Sequence, residues 1–459
     1  MLALIRTDRE TLKMLLAIAL PMIVSQGTYA LMIFTDRYFM SQIGPTHVAA
    51  TLGGGVAAFM CMSLFMGVLS YGNALVAQAL GAKKFSQCSR TATQGLVLAL
   101  ISLPLLALGA AGVYWGFDKL GHNLEQVVLE KEYFKVLMFG AAFTLLKTCL
   151  ASYFAGIGRT SVVMTADLLA VLLNVPLSYG LIFGVWGLPQ LDVAGAALGT
   201  VLSNLFALAV FVSFYVGRKN REQFKVLQSF SFDKTIFKRY LTLGFPSGLE
   251  MFLNIAAFNV FILLFQSYGV VQGAAAAIVL NWDLLSFVPM IGLHIAVISL
   301  VGRFVGAGDY QRLNSVISSG FLLGLVYSGI LAVLFIGFRD SLVGIFITTA
   351  TASEEIRELA RWMMIGMASY VMADAVILIS SGVLRGAGDT RWLMIASTIM
   401  HWLMVVIVYL VIMVWQLGPK VAWLVLVGMI LSLALCFTLR LASSSWRARA
   451  VVEAPLVRA

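Results

Sequence analysis

The carboxylate of Asp36 lies in an apolar stretch, residues 21–40, that is long enough to cross a lipid bilayer. A charged side chain at the centre of a membrane helix costs at least roughly 2.5 to 3.5 kcal/mol. Such a residue usually faces a polar interior, where it handles an ion, a proton or a substrate. The position of Asp36 in this stretch therefore predicts that it belongs to a transport site. The alternative is that Asp36 only pairs with the neighbouring Arg37 near the extracellular end of the helix.

Further polar residues lie in later apolar stretches of the same half. Asn174 and Ser178 are four residues apart and share one helix face, and Pro176 between them frees a backbone carbonyl. Thr200 lies in the next stretch. Oxygen atoms gathered around one carboxylate suit a small hard cation, whereas the same carboxylate out of water can also hold a proton. The residues leave both ions open, and a helix-to-helix hydrogen bond is the alternative role of each polar side chain.

A second group of polar residues lies in the other half of the chain. Glu250 and Asn254 share one helix face. Asp283 and Asp374 each lie inside a further apolar stretch. Three acids in one half are costly unless they line a water-filled cavity. An acidic cavity with aromatic and methionine side chains suits cationic, hydrophobic molecules, so these four residues form the predicted substrate site or second cation site.

The composition identifies the elements that position these residues. Only 11% of the residues are charged and 61% are hydrophobic, which is typical of a polytopic membrane protein and not of a soluble chain of this length. Twelve apolar stretches can be marked, each of about 20 residues or more and long enough for a membrane span. They are residues 14–40, 47–77, 88–116, 133–155, 161–184, 193–216, 241–268, 272–302, 313–338, 359–384, 392–416 and 420–440.

The basic residues indicate topology. The net charge is +10, but the lysines and arginines are spread over short loops, which argues against a nucleic-acid surface. Of the 31, 22 lie in or directly beside the amino terminus, the even-numbered loops and the carboxyl tail, and only Arg37 and Lys147 lie well inside spans. The positive-inside rule therefore places both termini in the cytoplasm. The four cysteines have no metal-ligand spacing, and we expect them to pack in the spans.

The second half of the chain repeats the first at nearly constant spacing. Three pairs of similar segments lie 225, 225 and 230 residues apart, in that order: Pro21 with Pro246, LVAQALGAKKF (75–85) with LVGRFVGAGDY (300–310), and FAGIGRT (154–160) with LRGAGDT (384–390). Six spans in each half give both halves the same orientation, which predicts a parallel repeat. The predicted fold is an all-α integral membrane protein with twelve transmembrane helices in two pseudo-symmetric six-helix lobes. The predicted domains are an N-terminal lobe (1–216), a cytoplasmic linker (217–239), a C-terminal lobe (240–440) and a cytoplasmic tail (441–459).

Three segments carry a family resemblance: Asp36 late in the first span, GFP at 244–246 opening the seventh, and DAVILISSGVLRGAGDT at 374–390. They are similar to the multidrug and toxic compound extrusion (MATE) transporters, and the resemblance covers essentially the whole chain. It implies a two-lobed transporter that exports organic cations and drugs in exchange for sodium or protons.

The resemblance also implies roles for single residues. Asp36 looks like the N-lobe acid that binds the coupling ion, and Asn174 and Thr200 look like its neighbours, with Na⁺ as one candidate occupant of these three. Ser178 stands where the family can have a second carboxylate. Asp374 looks like the C-lobe carboxylate assigned to cation or substrate binding.

Two features depart from the family pattern. The glutamate of span seven in the drug-exporting branch falls at Asn254, whereas this chain has its acid one turn earlier, at Glu250. Arg37 directly after Asp36 is also unusual. The coupling ion, the substrate range and the role of Arg37 therefore stay open.

Three other functions are alternatives. GAGD at 306–309 and 386–389 resembles the GxGD signature of intramembrane aspartyl proteases, but both copies fall at helix ends next to basic residues. A flippase for lipid-linked precursors has a similar fold, but would need basic residues in its cavity to hold phosphate. A passive channel would need neither carboxylates in both lobes nor coupling to an ion.

The sequence thus predicts a cation-coupled antiporter and not an enzyme. Na⁺ or H⁺ is the predicted coupling ion, and no cofactor is expected. The predicted partners are small organic cations and the lipid bilayer, without nucleic acid. We expect a monomer in the bacterial inner membrane.

Overall fold

The computed structural model describes residues 8–119, 121–346, 354–443 and 445–447, and these ranges contain helices and connections but no β-strand. Residues 444 and 448–459 of the predicted tail lie outside the described part. Sixteen α-helices are described: α1 (Arg9–Ile43), α2 (Pro45–Ser70), α3 (Gly72–Gly81), α4 (Phe85–Gly116), α5 (Leu124–Phe139), α6 (Ala141–Gly156), α7 (Thr160–Phe183), α8 (Asp192–Val216), α9 (Arg218–Phe224), α10 (Lys234–Gln266), α11 (Val270–Ala307), α12 (Tyr310–Gly337), α13 (Arg339–Gly344), α14 (Glu354–Ala387), α15 (Thr390–Tyr409) and α16 (Pro419–Ala442).

The long helices confirm the predicted membrane architecture. Within the described residues, eleven helical segments are long and apolar enough to span a membrane, and α5 with α6 gives a twelfth if this bent pair is one span. A helix satisfies its own backbone polar groups, which is what a chain in hydrocarbon requires. Prolines are tolerated inside five of the helices: Pro21 in α1, Pro104 in α4, Pro176 in α7, Pro246 in α10 and Pro289 in α11.

The predicted span 133–155 is broken in the structure. Helices α5 and α6 meet at Gly140 with a bend of 49°. A Cβ atom at Gly140 would lie 2.6 Å from Cγ1 of Val201 on α8. The backbone therefore approaches α8 more closely than any residue with a side chain would allow.

The helices form two compact units. One unit contains the described residues of Met1–Ala19 and Leu253–Ala459, and the other contains Leu20–Phe252. The division falls inside α1 and α10, whereas the sequence predicted lobes divided by the linker 217–239. Both units have helices packed on apolar cores, with Trp423, Met363 and others in the first and Phe134, Leu145 and others in the second.

Four helix-ending turns show that the sequence repeat is also a structural repeat. In each turn, a backbone N–H donates a hydrogen bond to the carbonyl of the residue five positions earlier, which is a common way to end a helix. The bonds are Lys84 to Ala79 (2.9 Å), Arg159 to Phe154 (2.9 Å), Asp309 to Phe304 (3.0 Å) and Asp389 to Leu384 (2.9 Å). The first and third are 225 residues apart and the second and fourth are 230 apart, as in the repeated segments.

The predicted linker is folded along part of its length. It contains α9 and a short 3₁₀ turn, Val226–Gln228. Phe224 is buried, and its carbonyl accepts a hydrogen bond of 2.7 Å from the Ser89 hydroxyl on α4. This segment is thus packed against the Leu20–Phe252 unit.

Candidate functional site

The Asp36 carboxylate is buried in the Leu20–Phe252 unit, three turns of α1 beyond Ser25. The Thr200 hydroxyl on α8 donates a hydrogen bond of 3.0 Å to Asp36 Oδ2. The Ser178 hydroxyl on α7 also lies near this carboxylate. Three helices therefore bring together residues that lie far apart in the sequence.

Asn174 completes this group from the same face of α7 as Ser178. Its amide Nδ2 donates to Ser178 Oγ at 3.2 Å, and both side chains are fully buried. Two oxygens, Asp36 Oδ1 and Asn174 Oδ1, have no hydrogen-bond partner among the described residues. Buried acceptors are normally satisfied, so this pair of oxygens is suited to a cation or a proton. We call Asp36, Asn174, Ser178 and Thr200 the Asp36 site.

Close helix packing holds the Asp36 site together. A Cβ atom at Gly199 would lie 3.0 Å from the Ser178 Cα and would collide with its hydroxyl, so α7 and α8 meet at this glycine. Phe39 and Tyr133 lie in a buried apolar cluster beside the site. The fixed hydroxyls of Ser178 and Thr200 thus face a carboxylate that bulk water does not solvate freely.

Arg37 does not neutralise Asp36. Its side chain is exposed, and among the described residues Asp36 makes no ion pair. The alternative in which Asp36 only pairs with Arg37 is therefore not the arrangement that the structure shows.

A second polar group lies in the same unit. Lys147 on α6 forms an ion pair of 2.9 Å with Asp167 on α7, and both side chains are mostly buried. The Ser25 hydroxyl on α1 donates to Asp167 Oδ2, and Lys147 Nζ donates to Asn204 Oδ1 on α8 at 3.3 Å. Only the charges of Lys147 and Asp167 were visible in the sequence, and their pairing was not.

The other unit contains Asp283 and Asp374. Asp283 on α11 and Asp374 on α14 are close enough to interact electrostatically. Tyr370, one turn before Asp374 and fully buried, lies near the Asp283 carboxylate. Tyr370 was missed by the sequence reasoning, although its four-residue spacing to Asp374 places the two on one helix face.

The remaining predicted residues fall in different places. Asn254 Nδ2 donates a hydrogen bond of 2.8 Å to Ser397 Oγ on α15, in the same unit as Asp283. Glu250 is buried but belongs to the Leu20–Phe252 unit, because the division of the chain passes between Phe252 and Leu253. Glu250 and Asn254 lie one turn apart on α10, and the boundary between the two units passes between them.

Each of the two GAGD aspartates lies directly before a helix. Asp309 precedes α12 and accepts a hydrogen bond of 3.0 Å from the Arg312 backbone N–H. Asp389 precedes α15, is buried, and accepts hydrogen bonds of 2.8 and 2.6 Å from Arg440. These structural roles account for both aspartates without the protease alternative.

The histidines and cysteines of the spans have packing roles. The ring nitrogens Nδ1 of His294 and His401 lie 2.7 and 2.8 Å from the backbone carbonyls of Leu378 and Ser397. The cysteines are free, and within the described residues no group of three histidine, cysteine or acidic side chains is placed to hold a metal ion.

A comparison with protein families identifies this architecture. The model described as MatE matches residues 21–180 and 246–410. The two matches begin 225 residues apart and end 230 apart, the spacings of the repeated segments and turns. This chain belongs to the MATE family.

Relatives of this MATE chain are named as resistance proteins. It is 26% identical over 398 residues to a probable multidrug resistance protein NorM of Bacillus subtilis (strain 168), covering 86% of this chain and 87% of that protein. It is 28% identical over 397 residues to the multidrug resistance protein MdtK of Yersinia pseudotuberculosis, covering 85% of each.

Solved structures of MATE and related transporters share the fold. A MOP superfamily transporter from Pyrococcus furiosus superposes with a TM-score of 0.86 at 20% identity, covering 98% of this chain and 97% of that chain. A multidrug resistance MATE transporter solved in an outward-facing conformation superposes with a TM-score of 0.83 at 20% identity, with the same coverage. The twelve-helix fold predicted from the sequence is therefore confirmed.

Proposed function

We propose that this MATE chain is an antiporter that exports cationic, hydrophobic organic compounds in exchange for H⁺ or Na⁺. The names of the NorM and MdtK relatives support a role in multidrug export. The observation that carries the coupling proposal is the Asp36 site, where a buried carboxylate has one oxygen without a hydrogen-bond partner among the described residues.

Either ion would satisfy the Asp36 site. A sodium ion prefers hard oxygen ligands, and Asp36, Asn174 and Thr200 supply them. A proton bound to the carboxylate would convert an unsatisfied acceptor into a donor, for which the Asn174 carbonyl oxygen is a suitable acceptor. In both cases the bound ion removes the cost of a bare charge within a membrane lobe.

The pair Asp283 and Asp374 is the proposed site for the organic cation. Two neighbouring carboxylates repel each other, and a cation between helices α11 and α14 relieves that repulsion. The nearby phenol of Tyr370 adds an aromatic face, which also attracts cations. Asn254 remains a proposed member of this substrate site or of a second cation site, and Glu250 remains a proposed member of a cation site in the Leu20–Phe252 unit.

Exchange requires that the two ligands favour different conformations. A ligand that binds two states equally shifts nothing, so the coupling ion must favour the state that releases the drug. We place the protein in the bacterial inner membrane with both termini in the cytoplasm, since 22 of its 31 basic residues lie in or directly beside the amino terminus, the even-numbered loops and the carboxyl tail.

The test is replacement of Asp36 by Asn in protein reconstituted into liposomes. Asn keeps the size and the hydrogen bond from Thr200 but removes the charge, so we expect concentrative export of an organic-cation dye to fall to the level of empty liposomes. The matched control is Asp233→Asn, which removes a carboxylate from a helix-capping position where Asn caps equally well. Full export by Asp36→Asn would refute the proposal.

A further inference from the structure

The Lys147–Asp167 ion pair has no role in the transport cycle proposed above. Its two charged groups lie 2.9 Å apart, with 19% of the Lys147 side chain and 14% of the Asp167 side chain exposed. Such a pair is costly to place in a membrane helix bundle, because both charges lose most of their hydration. Lys147 is the only charged residue of α6, and Asp167 is the only one of α7.

Polar side chains from two more helices fix the pair in place. Asn204 accepts from Lys147 Nζ at 3.3 Å and donates to Thr144 Oγ1 at 3.4 Å. The Ser25 hydroxyl donates to the second Asp167 oxygen. Ser25 is buried, so this network is part of the interior and not of the lipid-facing surface.

Residues of the pair or in contact with it lie along the same three helices as the Asp36 site, namely α1, α7 and α8. Asp167 and Asn174 are seven residues apart on α7, which is two helical turns or about 10 Å. Asn204 and Thr200 are one turn apart on α8. Each helix thus presents one residue to the pair and one to the Asp36 site.

Helix α1 follows the same pattern. Ser25 and Asp36 are eleven residues apart, which is close to three full turns and keeps both side chains on one face. Three helices therefore connect the two groups. The polar interior of this unit has two layers, which are the Asp36 site and the Lys147–Asp167 pair with its hydrogen-bond partners. The Asp36 site carries one net negative charge when its carboxylate is ionised. The layer of the pair is neutral as long as Lys147 and Asp167 are both present.

We infer that the Lys147–Asp167 pair sets the affinity of the Asp36 site for the coupling cation. This inference rests on the proposed function of Asp36. The ammonium of Lys147 disfavours a second cation nearby and the carboxylate of Asp167 favours it, and in the intact pair these effects nearly cancel. At about 16 Å, the rise of three helical turns, and an effective dielectric constant of about 20, either charge alone changes cation affinity by roughly five- to tenfold.

The single variants are expected to shift cation affinity in opposite directions. Lys147→Gln leaves the Asp167 charge uncompensated, so the Asp36 site should need roughly five- to tenfold less cation for half-maximal export. Asp167→Asn leaves the ammonium uncompensated and should raise the requirement by a similar factor. The double variant removes both charges and should return close to the parent value, and Lys147→Arg should keep it.

The measurement is dye export from liposomes, with Na⁺ titrated at fixed pH and, separately, pH varied without Na⁺. The ion that drives the parent protein is then used for all variants. For protons, a higher affinity appears as half-maximal export at higher pH. Thermal stabilisation of the purified protein by the same ion gives a second value, which does not depend on transport.

Matched controls use an exposed pair of the same unit. Arg218 and Glu222 of α9 lie 2.9 Å apart, with 85% and 61% of their side chains exposed, and Arg218→Gln and Glu222→Gln make the same charge changes where solvent screens them. These two variants should leave the half-maximal concentration unchanged. A purely structural role predicts lower protein stability without opposite affinity shifts.

Equal or same-direction shifts in the Lys147 and Asp167 variants would overturn the inference. If Asp36→Asn abolishes ion-driven export but the pair variants show no opposite shifts, the inference fails and the proposed function stands. If Asp36→Asn still exports with the parent's ion dependence, the proposed function fails first.

Discussion

At the scale of single residues, the two units use their buried carboxylates differently. Asp36 is surrounded by hydroxyl and amide groups, with Thr200 as a donor at 3.0 Å. Asp283 and Asp374 instead lie close enough to interact electrostatically, with Tyr370 nearby. One carboxylate with fixed oxygen neighbours suits a small ion, whereas two carboxylates with an aromatic neighbour suit a larger cation.

Replacement of Asp374 by Asn is expected to weaken drug binding. The variant keeps the shape of the side chain and removes one of the two charges that attract an organic cation, so apparent affinity should fall on the order of tenfold or more. The measurement is the dye concentration at half-maximal export for several cationic dyes. Asp309→Asn is the control, because Asn caps α12 as well as Asp does. An unchanged affinity for every dye would remove Asp374 from the substrate site.

Sequence reasoning predicted the polar members of the Asp36 site, because a polar residue in an apolar span is conspicuous. Asn174 and Ser178 were placed on one face by their spacing alone, and in the structure Ser178 lies near Asp36 and accepts a hydrogen bond from Asn174. Tyr370 could not be singled out in the same way, since a tyrosine in a membrane helix is not unusual. The pairing of Lys147 with Asp167 depends on which helices are neighbours, which no local pattern encodes.

At the scale of helices, glycines determine how closely neighbouring helices approach. A Cβ atom at Gly67 of α2 would lie 2.7 Å from the Cα of Gly248 on α10. Gly244 lies one turn before Gly248 and approaches the Val68 carbonyl oxygen in the same way. Small residues four apart allow such backbone contact between membrane helices.

Gly248→Ala is therefore expected to destabilise the Leu20–Phe252 unit. The added Cβ atom would lie 2.9 Å from the Val68 backbone nitrogen and would collide with the Leu64 carbonyl oxygen, so the helices must move apart. Overpacking of this kind costs about 1 to 3 kcal/mol. The measurement is the thermal unfolding midpoint of the purified protein.

The control for this helix contact is Gly329→Ala. Gly329 also lies inside a spanning helix, α12, but a Cβ atom there meets nothing within 4 Å. This variant should unfold at or slightly above the parent temperature, because Ala favours the helix over Gly. Equal midpoints for the Gly248 and Gly329 variants would show that α2 and α10 tolerate separation.

The break at Gly140 shows the limit of prediction from hydropathy. Residues 133–155 are apolar enough to be marked as one span, yet the chain bends by 49° between α5 and α6. At the break, Gly140 packs closely against Val201, a contact between residues about 60 positions apart. A hydropathy pattern reports the length of a span and carries no information on such a contact.

At the scale of the whole molecule, the repeat predicted the number of spans and the parallel arrangement of the halves. It did not predict the two compact units, whose limits lie inside α1 and α10. Sequence similarity marks which segments were duplicated along the chain. Compactness depends instead on which helix segments pack together, so a helix can begin in one unit and end in the other.

The ion dependence of the whole transporter can be tested with independently imposed Na⁺ and pH gradients across the liposome membrane. We expect one of the two gradients to drive accumulation of an organic-cation dye against its own gradient, and its collapse by an ionophore to stop accumulation at once. The coupling ion must enter the Asp36 site for the cycle to proceed, so the same gradient should have no effect on Asp36→Asn. A passive channel would only equilibrate the dye, and a lipid flippase would move labelled lipid without accumulating dye. Dye accumulation with neither gradient present would contradict coupling to either cation.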